Sequence, residues 1–354
     1  MKVQLKTKIN NLFSNKIDKP FIVAEISANH NKNFQNIKKI IVKAKQLGID
    51  AIKIQLYKAD LITIKSHKKD FRIKNDNTWS KYSSYHDLYL KGETPYEWFE
   101  KIKDLCEKNN IICFSSVFDL KTVEFLEKNQ CSIYKVASPE INDIPLLKKI
   151  ALTKKPVIIS TGLAEKKDLD LAIKTLKKNK CKKIIILKCT SSYPAPYSDL
   201  NLLTIEDLKK RYNTNVGFSD HTTNSTAAIV AVTLGACLIE KHIKVDNKKS
   251  LDSFFSTSLI DFKKFVKDIN DAYKSIGNIS YEIPSSSKKN ISGKKSLYVI
   301  KDIKKNEKFD LNNISSIRPS YGLHPKYLSK FIGKKSGKKI NAGERLSFKF
   351  IKKK

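Results

Sequence analysis

Eight short apolar segments recur between residues 21 and 243, and a longer segment with helical periodicity separates most of them from the next. Short runs rich in β-branched residues are typical of buried strands, whereas apolar residues three and four positions apart, as from Ile37 to Leu47, are typical of helices. Such alternation favours a parallel sheet covered by helices on both faces. Eight repeats in about 250 residues predict an α/β fold of the (β/α)8 TIM-barrel type rather than an open sheet. The predicted strands are 21–27, 51–57, 111–117, 132–138, 156–161, 183–190, 216–220 and 237–243.

Two other segments depart from this repeat. Residues 58–95 follow the second predicted strand, are too many for a simple loop and contain Trp79 and several tyrosines, so we expect them to lie over the mouth of the barrel. Residues 282–295 are rich in Ser, Lys and Gly, as linkers are. Residues 296–354, which follow this linker, have the pattern of short strands separated by turns. We therefore predict a catalytic barrel domain over 1–281, a linker over 282–295 and a small β-rich domain over 296–354.

The formal net charge of +34 raises the question of a nucleic-acid partner. Only four of the 69 basic residues are arginine, and the lysines are spread over nearly every helical segment. Nucleic-acid sites usually cluster arginine with aromatic residues, for bidentate contacts and for stacking. The composition therefore favours a solvated, lysine-biased surface over nucleic-acid binding, although an anionic substrate would still gain from the field.

The sequence also predicts a cytoplasmic protein with no membrane partner. No apolar run approaches the roughly 20 residues that span a bilayer, and the first residues lack the apolar region of a signal peptide. The six cysteines have no C-x-x-C spacing and lie mostly in apolar segments, as buried thiols in a reducing compartment do.

Polar residues follow or end all eight predicted strands, at the end of the barrel where enzymes of this fold build their active sites. Lys53 and Lys135 stand among five or more serine and threonine hydroxyls. Either lysine alone would more often be a salt-bridged residue. Two lysines converging with many hydroxyls are suited to binding a phosphate dianion.

Two histidines end neighbouring strands of the predicted barrel. His221 follows the seventh strand and His242 lies at the end of the eighth, so both are within reach of one divalent ion. Each alone would more often be a core or strand-end histidine. Together, without cysteine and with few carboxylates, they suit Mn²⁺, Fe²⁺, Co²⁺ or Zn²⁺ with positions left for water and substrate. A phosphate pocket beside a Lewis acid predicts an enzyme that joins a phosphorylated small molecule to a carbonyl compound.

Seven motifs lie at or beside the predicted strand ends: "AEISANHN" (24–31), "AIKIQ" (51–55), "YKVASPE" (134–140), "ISTGL" (159–163), "CTSSYPAPYSDLNL" (189–202), "GFSDHT" (217–222) and "EKH" (240–242). They resemble those of the sialic acid synthase family, whose members condense phosphoenolpyruvate with an amino sugar to give a nonulosonic acid. The tail from "SLYVIKDIKKNEKF" to "SIRPSYGLHP" resembles the antifreeze-like (SAF) domain of that family. The motif "ISANHN", the aromatic segment 79–100 and "LDSFFS" favour the pseudaminic acid branch over the N-acetylneuraminate branch.

The resemblance implies a role for each matching position. His221 and His242 would bind the metal, most often Mn²⁺ with Mg²⁺ or Co²⁺ as alternatives, and Glu140 and Glu25 would be the catalytic carboxylates. The substrates would be phosphoenolpyruvate and an N-acetylated amino sugar, and Arg318 would reach the active site of a partner subunit in a domain-swapped homodimer. Ser191 stands where N-acetylneuraminate synthases usually carry Asn. The phosphoenolpyruvate pocket would comprise Lys53, Ser116, Lys135, Ser138, Ser160, Ser191 and Ser219, and the sugar site would comprise Gln55, Tyr193, Asp252 and Arg318.

Three other interpretations remain open from the residues. Within the family, the chain could be an N-acetylneuraminate or legionaminic acid synthase. On the same barrel, Lys53 or Lys135 could act as the nucleophile of a Schiff-base aldolase, which leaves the paired histidines without a purpose. A non-catalytic binder of nucleic acid or ice would explain the charge and the tail but not the strand-end residues.

Overall fold

The computed structural model describes residues 3–14, 19–74 and 78–353, and it divides into two compact units, Met1–Gly277 and Asn278–Lys354. In the first unit eight parallel strands follow one another in chain order, and β1 pairs with β8 to close the barrel. All eight strands that the sequence predicts are present, and the (β/α)8 fold is confirmed. The strands are β1 Phe21–Glu25, β2 Ala51–Gln55, β3 Ile112–Val117, β4 Tyr134–Val136, β5 Val157–Ser160, β6 Ile184–Cys189, β7 Asn215–Asp220 and β8 Leu238–Lys244.

Helices surround the barrel, and most of them bury one face in its core. In α2 the buried residues include Ile37, Ile40, Ile41 and Ala44, as the spacing predicts. Helix α1, which the sequence analysis does not predict, also buries three apolar side chains in this core. The helices are α1 Val3–Leu12, α2 Phe34–Ala44, α3 Ala59–Ile62, α4 Tyr85–Gly92, α5 Trp98–Lys108, α6 Leu120–Lys128, α7 Ile144–Leu152, α8 Lys166–Lys178, α9 Thr204–Tyr212, α10 Thr226–Thr233 and α11 Leu259–Ile276.

No helix among residues 3–14, 19–74 and 78–353 is both long enough and apolar enough to cross a membrane. A two-residue strand, β9 Thr257–Ser258, extends the sheet beside β8. All six cysteines are buried free thiols.

The second unit has its own small apolar core. Its antiparallel strands are β10 Ser296–Val299 and β11 Ile314–Ile317. Asn306 has a φ of 71°, as expected of an asparagine before Glu307 at a tight turn. The core residues are Leu297, Val299, Ile303, Phe309, Ile314, Phe331, Ile340 and Leu346.

Candidate active site

The strand register brings charged side chains together at the carboxyl ends of the strands. Glu25 of β1 is in register with Lys53 of β2 on one side and with His242 of β8 on the other. Side chains alternate along a strand, so Glu240 and His242 point to one side of β8, and Ser219 of β7 is in register with Glu240. The hydroxyl of Ser219 donates to Oε1 of Glu240 at 3.1 Å. This side faces the barrel interior, because the same Oε1 also lies within 4.0 Å of lysines from β2 and β4.

Four buried charged residues form the centre of the site. Nζ of Lys53 lies 2.5 Å from Oε2 of Glu25 and 3.7 Å from Oε1 of Glu240, and Nζ of Lys135 lies 4.0 Å from the same Oε1. None of these side chains is more than 4% exposed. Each lysine also donates to a hydroxyl, Lys53 to Ser116 at 3.1 Å and Lys135 to Ser160 at 2.7 Å.

Burial opposes every charge in this centre, but the four residues respond differently. Burial lowers the pKa of Lys135 in spite of Glu240, whereas Glu240 and Glu25 overcome burial at Lys53 and raise its pKa. Burial raises the pKa of Glu25, while Lys135 and Lys53 overcome it at Glu240 and lower that pKa. Lys135 is therefore the cation whose charge is least compensated, and an incoming anion would stabilise it.

Gly162 leaves room for two further serine hydroxyls. A Cβ atom at this position would lie 2.1 Å from Oγ of Ser191 and 2.9 Å from Oγ of Ser138, closer than real Cβ contacts. The Ser138 hydroxyl also accepts a hydrogen bond from the backbone N–H of Leu163. The "ISTGL" motif thus requires glycine because two serine side chains occupy the space of a side chain.

The two histidines are neighbours at the other side of the mouth. The ring centres of His221 and His242 are 5.4 Å apart. Nδ1 of His221 donates to the carbonyl oxygen of Thr190 at 2.9 Å, which leaves the lone pair on Nε2. Nδ1 of His242 is buried and has no hydrogen-bond partner among the described residues. Burial and the positive groups around His242, first among them His221, hold its pKa well below the usual range, so this ring is neutral.

These features fit a divalent cation. Metal-binding imidazoles are neutral, and the second nitrogen of such a ring is usually oriented by a carbonyl or carboxylate, as His221 is by Thr190. Burial opposes the charge of His221, but the Cys189 sulfur 3.9 Å from Nδ1 raises its pKa. Within the described parts of the chain no group of three or more His, Cys, Asp or Glu residues could hold a metal. Two protein ligands would leave the other positions open to water and substrate.

A cavity of about 520 Å³ opens beside these groups at the mouth of the barrel. Its wall includes Gln55, Glu140, Tyr193, His242 and Asp252, which the sequence analysis selects. The expected position of segment 58–95 over the mouth is confirmed, because its residues line the same cavity. They are Ile62, Thr78, Trp79, Tyr85, Leu88 and Tyr89.

Two carboxyl groups in this wall are poorly solvated. Glu140 is partly buried, and its buried Oε2 has no hydrogen-bond partner among the described residues. Burial raises the pKa of Glu140 to about 7, although Lys135 opposes the shift. Burial also raises the pKa of Asp252, whose Oδ2 accepts hydrogen bonds from the Ser27 hydroxyl and, at 3.3 Å, from the N–H of Ala28.

Comparison of the sequence with models of protein families shows which family this chain belongs to. The family model described as "NeuB family" matches residues 40–281, and the model of the SAF domain matches residues 294–352. The chain belongs to the NeuB family. The barrel with its strand-end cluster is therefore the NeuB-family part, and the unit that contains β10 and β11 is the SAF part.

Individual relatives extend over almost the whole chain. The pseudaminic acid synthase of Campylobacter jejuni subsp. jejuni serotype O:23/36 (strain 81-176) is 42% identical over 93% of this chain and 95% of its own length. The N,N'-diacetyllegionaminic acid synthase of Campylobacter jejuni serotype O:2 is 35% identical over 92% of this chain and 98% of its own length. Among solved structures, the N-acetylneuraminic acid synthetase of Leptospira borgpetersenii in complex with citrate has a TM-score of 0.66 and 29% identity, over 77% of this chain and 90% of that chain.

Two residues of the matching motifs lie outside this cluster. Arg318 follows β11 in the second unit and is exposed. His30, to which the sequence analysis assigns no role, is a buried histidine with both ring nitrogens bonded, Nδ1 to the N–H of Lys32 and Nε2 to the Thr94 hydroxyl. Burial lowers its pKa to about 4, so His30 is a neutral packing residue beside Trp98 in this NeuB-family barrel.

The structure also identifies a residue that the sequence analysis overlooks. Glu240 lies within 4.0 Å of both site lysines and accepts from Ser219, but it is absent from the residues selected by sequence. The sequence could have indicated Glu240, because it stands two residues before His242 in an apolar strand and so points to the same side.

Proposed function

We propose that this chain is a pseudaminic acid synthase, which condenses phosphoenolpyruvate with 2,4-diacetamido-2,4,6-trideoxy-L-altrose to give pseudaminic acid and phosphate. The observation that carries the proposal is the presence, at one barrel mouth, of a buried lysine–serine cluster beside two adjoining histidines. The 42% identity to the Campylobacter jejuni pseudaminic acid synthase supports the choice of branch.

In this proposal the lysine cluster binds phosphoenolpyruvate. Lys135 and Lys53 neutralise the phosphate and carboxylate groups, and the serine hydroxyls donate hydrogen bonds to them. Entry of the anion compensates the charge of Lys135, which burial leaves the least stabilised of the two lysines. The hydroxyls belong to Ser116, Ser138, Ser160, Ser191 and Ser219.

The amino sugar occupies the 520 Å³ cavity, where Gln55, Tyr193 and Asp252 contact it. His221 and His242 would hold a divalent cation, most readily Mn²⁺, which would supply Lewis-acid polarisation of the sugar aldehyde. Aromatic rings next to the histidines restrict the access of water. The ring centre of Tyr193 lies 4.4 Å from that of His221, and the ring centre of Phe255 lies 4.7 Å from that of His242.

Two carboxylates of the chain have separate roles in the proposed reaction. C3 of the enol attacks the aldehyde carbon, which leaves C2 electron-poor, and the aldehyde oxygen becomes a hydroxyl by taking a proton from water. Glu140 accepts a proton from the water that adds to C2. The C2 hydroxyl then loses its proton to form the ketone as the bond from C2 to the bridging oxygen breaks, and phosphate leaves with that proton. A pKa of about 7 suits Glu140 to this role. Glu25 keeps Lys53 in place through their 2.5 Å ion pair.

The assembly and the domain limits belong to the same proposal. Residues 1–281 form the catalytic domain and 296–354 form the SAF domain, joined by 282–295. The exposed Arg318 contacts the sugar of a partner subunit in a domain-swapped homodimer, with no nucleic acid or membrane partner. The six free thiols agree with a place in the cytoplasm.

Phosphate release from phosphoenolpyruvate by the purified chain with Mn²⁺ tests this function. The altrose derivative is compared with its legionaminic acid precursor isomer and with N-acetylmannosamine, each with and without EDTA. We expect EDTA-sensitive release with the altrose derivative alone. Release with another of the sugars instead would keep the reaction and overturn the substrate, and no release with any sugar would overturn the synthase proposal.

A further inference from the structure

A buried ion pair joins β7 and β8 directly before the two histidines. Asp220 and Lys241 face each other in the strand register, one residue before His221 and His242. Their Oδ2 and Nζ atoms are 2.9 Å apart, and neither side chain is more than 1% exposed. Strand alternation places this pair on the side opposite the histidines, where Nζ of Lys241 lies 5.3 Å from the centre of the Phe265 ring in α11. The pair therefore does not belong to the inner face that carries the reaction.

The same pair fixes the turn that carries His221. This histidine follows the last residue of β7, so the strand ladder itself does not hold it. Oδ1 of Asp220 accepts hydrogen bonds from both the N–H and the hydroxyl of Thr222, each at 2.8 Å. Nζ of Lys241 donates to the carbonyl oxygen of Thr222. Both sequence neighbours of His221 are thus bonded to the lysine that precedes His242.

Stability alone does not account for the charges of this pair. Burying two ions costs solvation, and replacing such a pair by well-packed apolar residues is often neutral or stabilising. Apolar residues would not, however, make the directional bonds that Asp220 and Lys241 make with Thr222. A geometric role explains why two charges are kept at a place where they bring little stability.

We propose that the Asp220–Lys241 pair sets the separation of His221 and His242 and thereby the affinity of the site for a divalent cation. Asp220 and Lys241 are positioning residues, since they act through the histidines. The inference rests on the proposed function of those histidines as metal ligands. Loss of the groups that orient metal ligands typically weakens metal binding by about 10- to 100-fold.

The test replaces both charges at once, with Asp220→Leu and Lys241→Met in the full-length chain. The Mn²⁺ dissociation constant is measured without substrate from the electron paramagnetic resonance signal of free Mn²⁺. We expect binding weaker by about 10-fold or more, an unchanged or higher unfolding temperature in EDTA, and recovery of kcat at saturating Mn²⁺. A wild-type Mn²⁺ affinity in this double variant would overturn the proposal.

If the double variant does not fold, Asp220→Asn tests the positioning role of the pair. Asn keeps the shape and an oxygen acceptor for Thr222 but removes the charge, so we expect a smaller loss of Mn²⁺ affinity. Unchanged affinity in Asp220→Asn would then count against the pair.

Two controls separate positioning from other causes. Ile269→Ala, in the buried core of α11, should lower the unfolding temperature and leave Mn²⁺ affinity unchanged, and an equal loss of affinity there would overturn the proposal by attributing it to instability. His221→Ala should abolish Mn²⁺ binding. If the wild type does not bind Mn²⁺, or His221→Ala binds it equally well, the proposed metal site fails, which differs from a failure of the pair alone.

Discussion

At the scale of single residues, the site is built from groups whose charged forms the barrel penalises. Glu140 is the clearest case, because its pKa is raised to about 7 by burial and one of its oxygens has no partner among the described residues. A carboxyl group whose pKa is raised by burial lowers the stability of the fold when it ionises. Such destabilising groups are common at functional sites.

Replacing Glu140 by Gln should therefore have opposite effects on activity and stability. We expect kcat to fall by about 100-fold or more, because the variant lacks the base for water addition. A raised pKa means that the folded wild type binds more protons than the unfolded chain between about pH 4.5 and 7, so its stability falls as pH rises through that window. Glu140→Gln should gain about 1 to 2 kcal/mol at pH 8, less than the full shift implies because the side chain is partly exposed.

Steady-state rates and urea unfolding at pH 5 and pH 8 measure both effects. The wild-type rate should rise with pH to a plateau above about pH 7. Asp143→Asn is the matched control, since Asn can still cap α7 through the N–H of Leu146. A Glu140→Gln variant with the wild-type kcat would exclude Glu140 as the base.

Lys135 offers a second prediction at this scale. We expect Lys135→Met to raise the KM for phosphoenolpyruvate by about 100-fold or more, because the variant loses a buried cation that no solvent replaces. Lys188→Met serves as the control, since Lys188 is partly buried and donates to the Cys189 carbonyl. Similar KM values for the two variants would contradict the assignment of Lys135 to the anion pocket.

At the scale of elements, the loop after β5 tests how closely the pocket is packed. Gly162→Ala should push the Ser191 and Ser138 hydroxyls away, because the new Cβ would lie 2.1 and 2.9 Å from them. We expect the KM for phosphoenolpyruvate to rise by about 10-fold with a much smaller change in kcat, since binding weakens more than chemistry.

Gly293→Ala is the control for this substitution, because a Cβ there meets no atom within 4 Å. If Gly162→Ala bound phosphoenolpyruvate as the wild type does, the two serines would not be contacts of the substrate.

Elements also show what the sequence could predict. The eight apolar segments were sufficient to predict the barrel. The barrel in turn predicted that Lys53, Lys135, His221 and His242 lie at strand ends. Helix α1 was not predicted, because its pattern is weak: only Leu5, Ile9 and Leu12 of its ten residues are buried apolar side chains, although their spacing is helical. The contact of Trp79 with Tyr193, 5.5 Å between ring centres, depends on how a long segment folds back, and local patterns do not encode that.

At the scale of the whole molecule, the proposed domain-swapped dimer predicts complementation between two inactive chains. Arg318→Ala would remove the proposed sugar contact with the partner subunit, and His221→Ala would remove the proposed metal ligand of the chain's own site. After unfolding and refolding together, half of the dimers would contain one chain of each kind, with one intact site each. We therefore expect about one quarter of the wild-type activity from an equimolar mixture. No recovery in mixed dimers, verified by differently tagged chains, would mean that Arg318 serves its own subunit or no site.

The central claim is that this barrel mouth condenses phosphoenolpyruvate with the sugar by adding water at C2 and breaking the bond between C2 and the bridging oxygen, not the bond between that oxygen and phosphorus. The most direct measurement uses phosphoenolpyruvate labelled with ¹⁸O at the bridging oxygen, with the altrose derivative and Mn²⁺, and mass spectrometry of both products. Our account predicts that all of the label leaves in the inorganic phosphate, because the bond between C2 and the bridging oxygen breaks. Label retained at C2 of the sugar acid would contradict it.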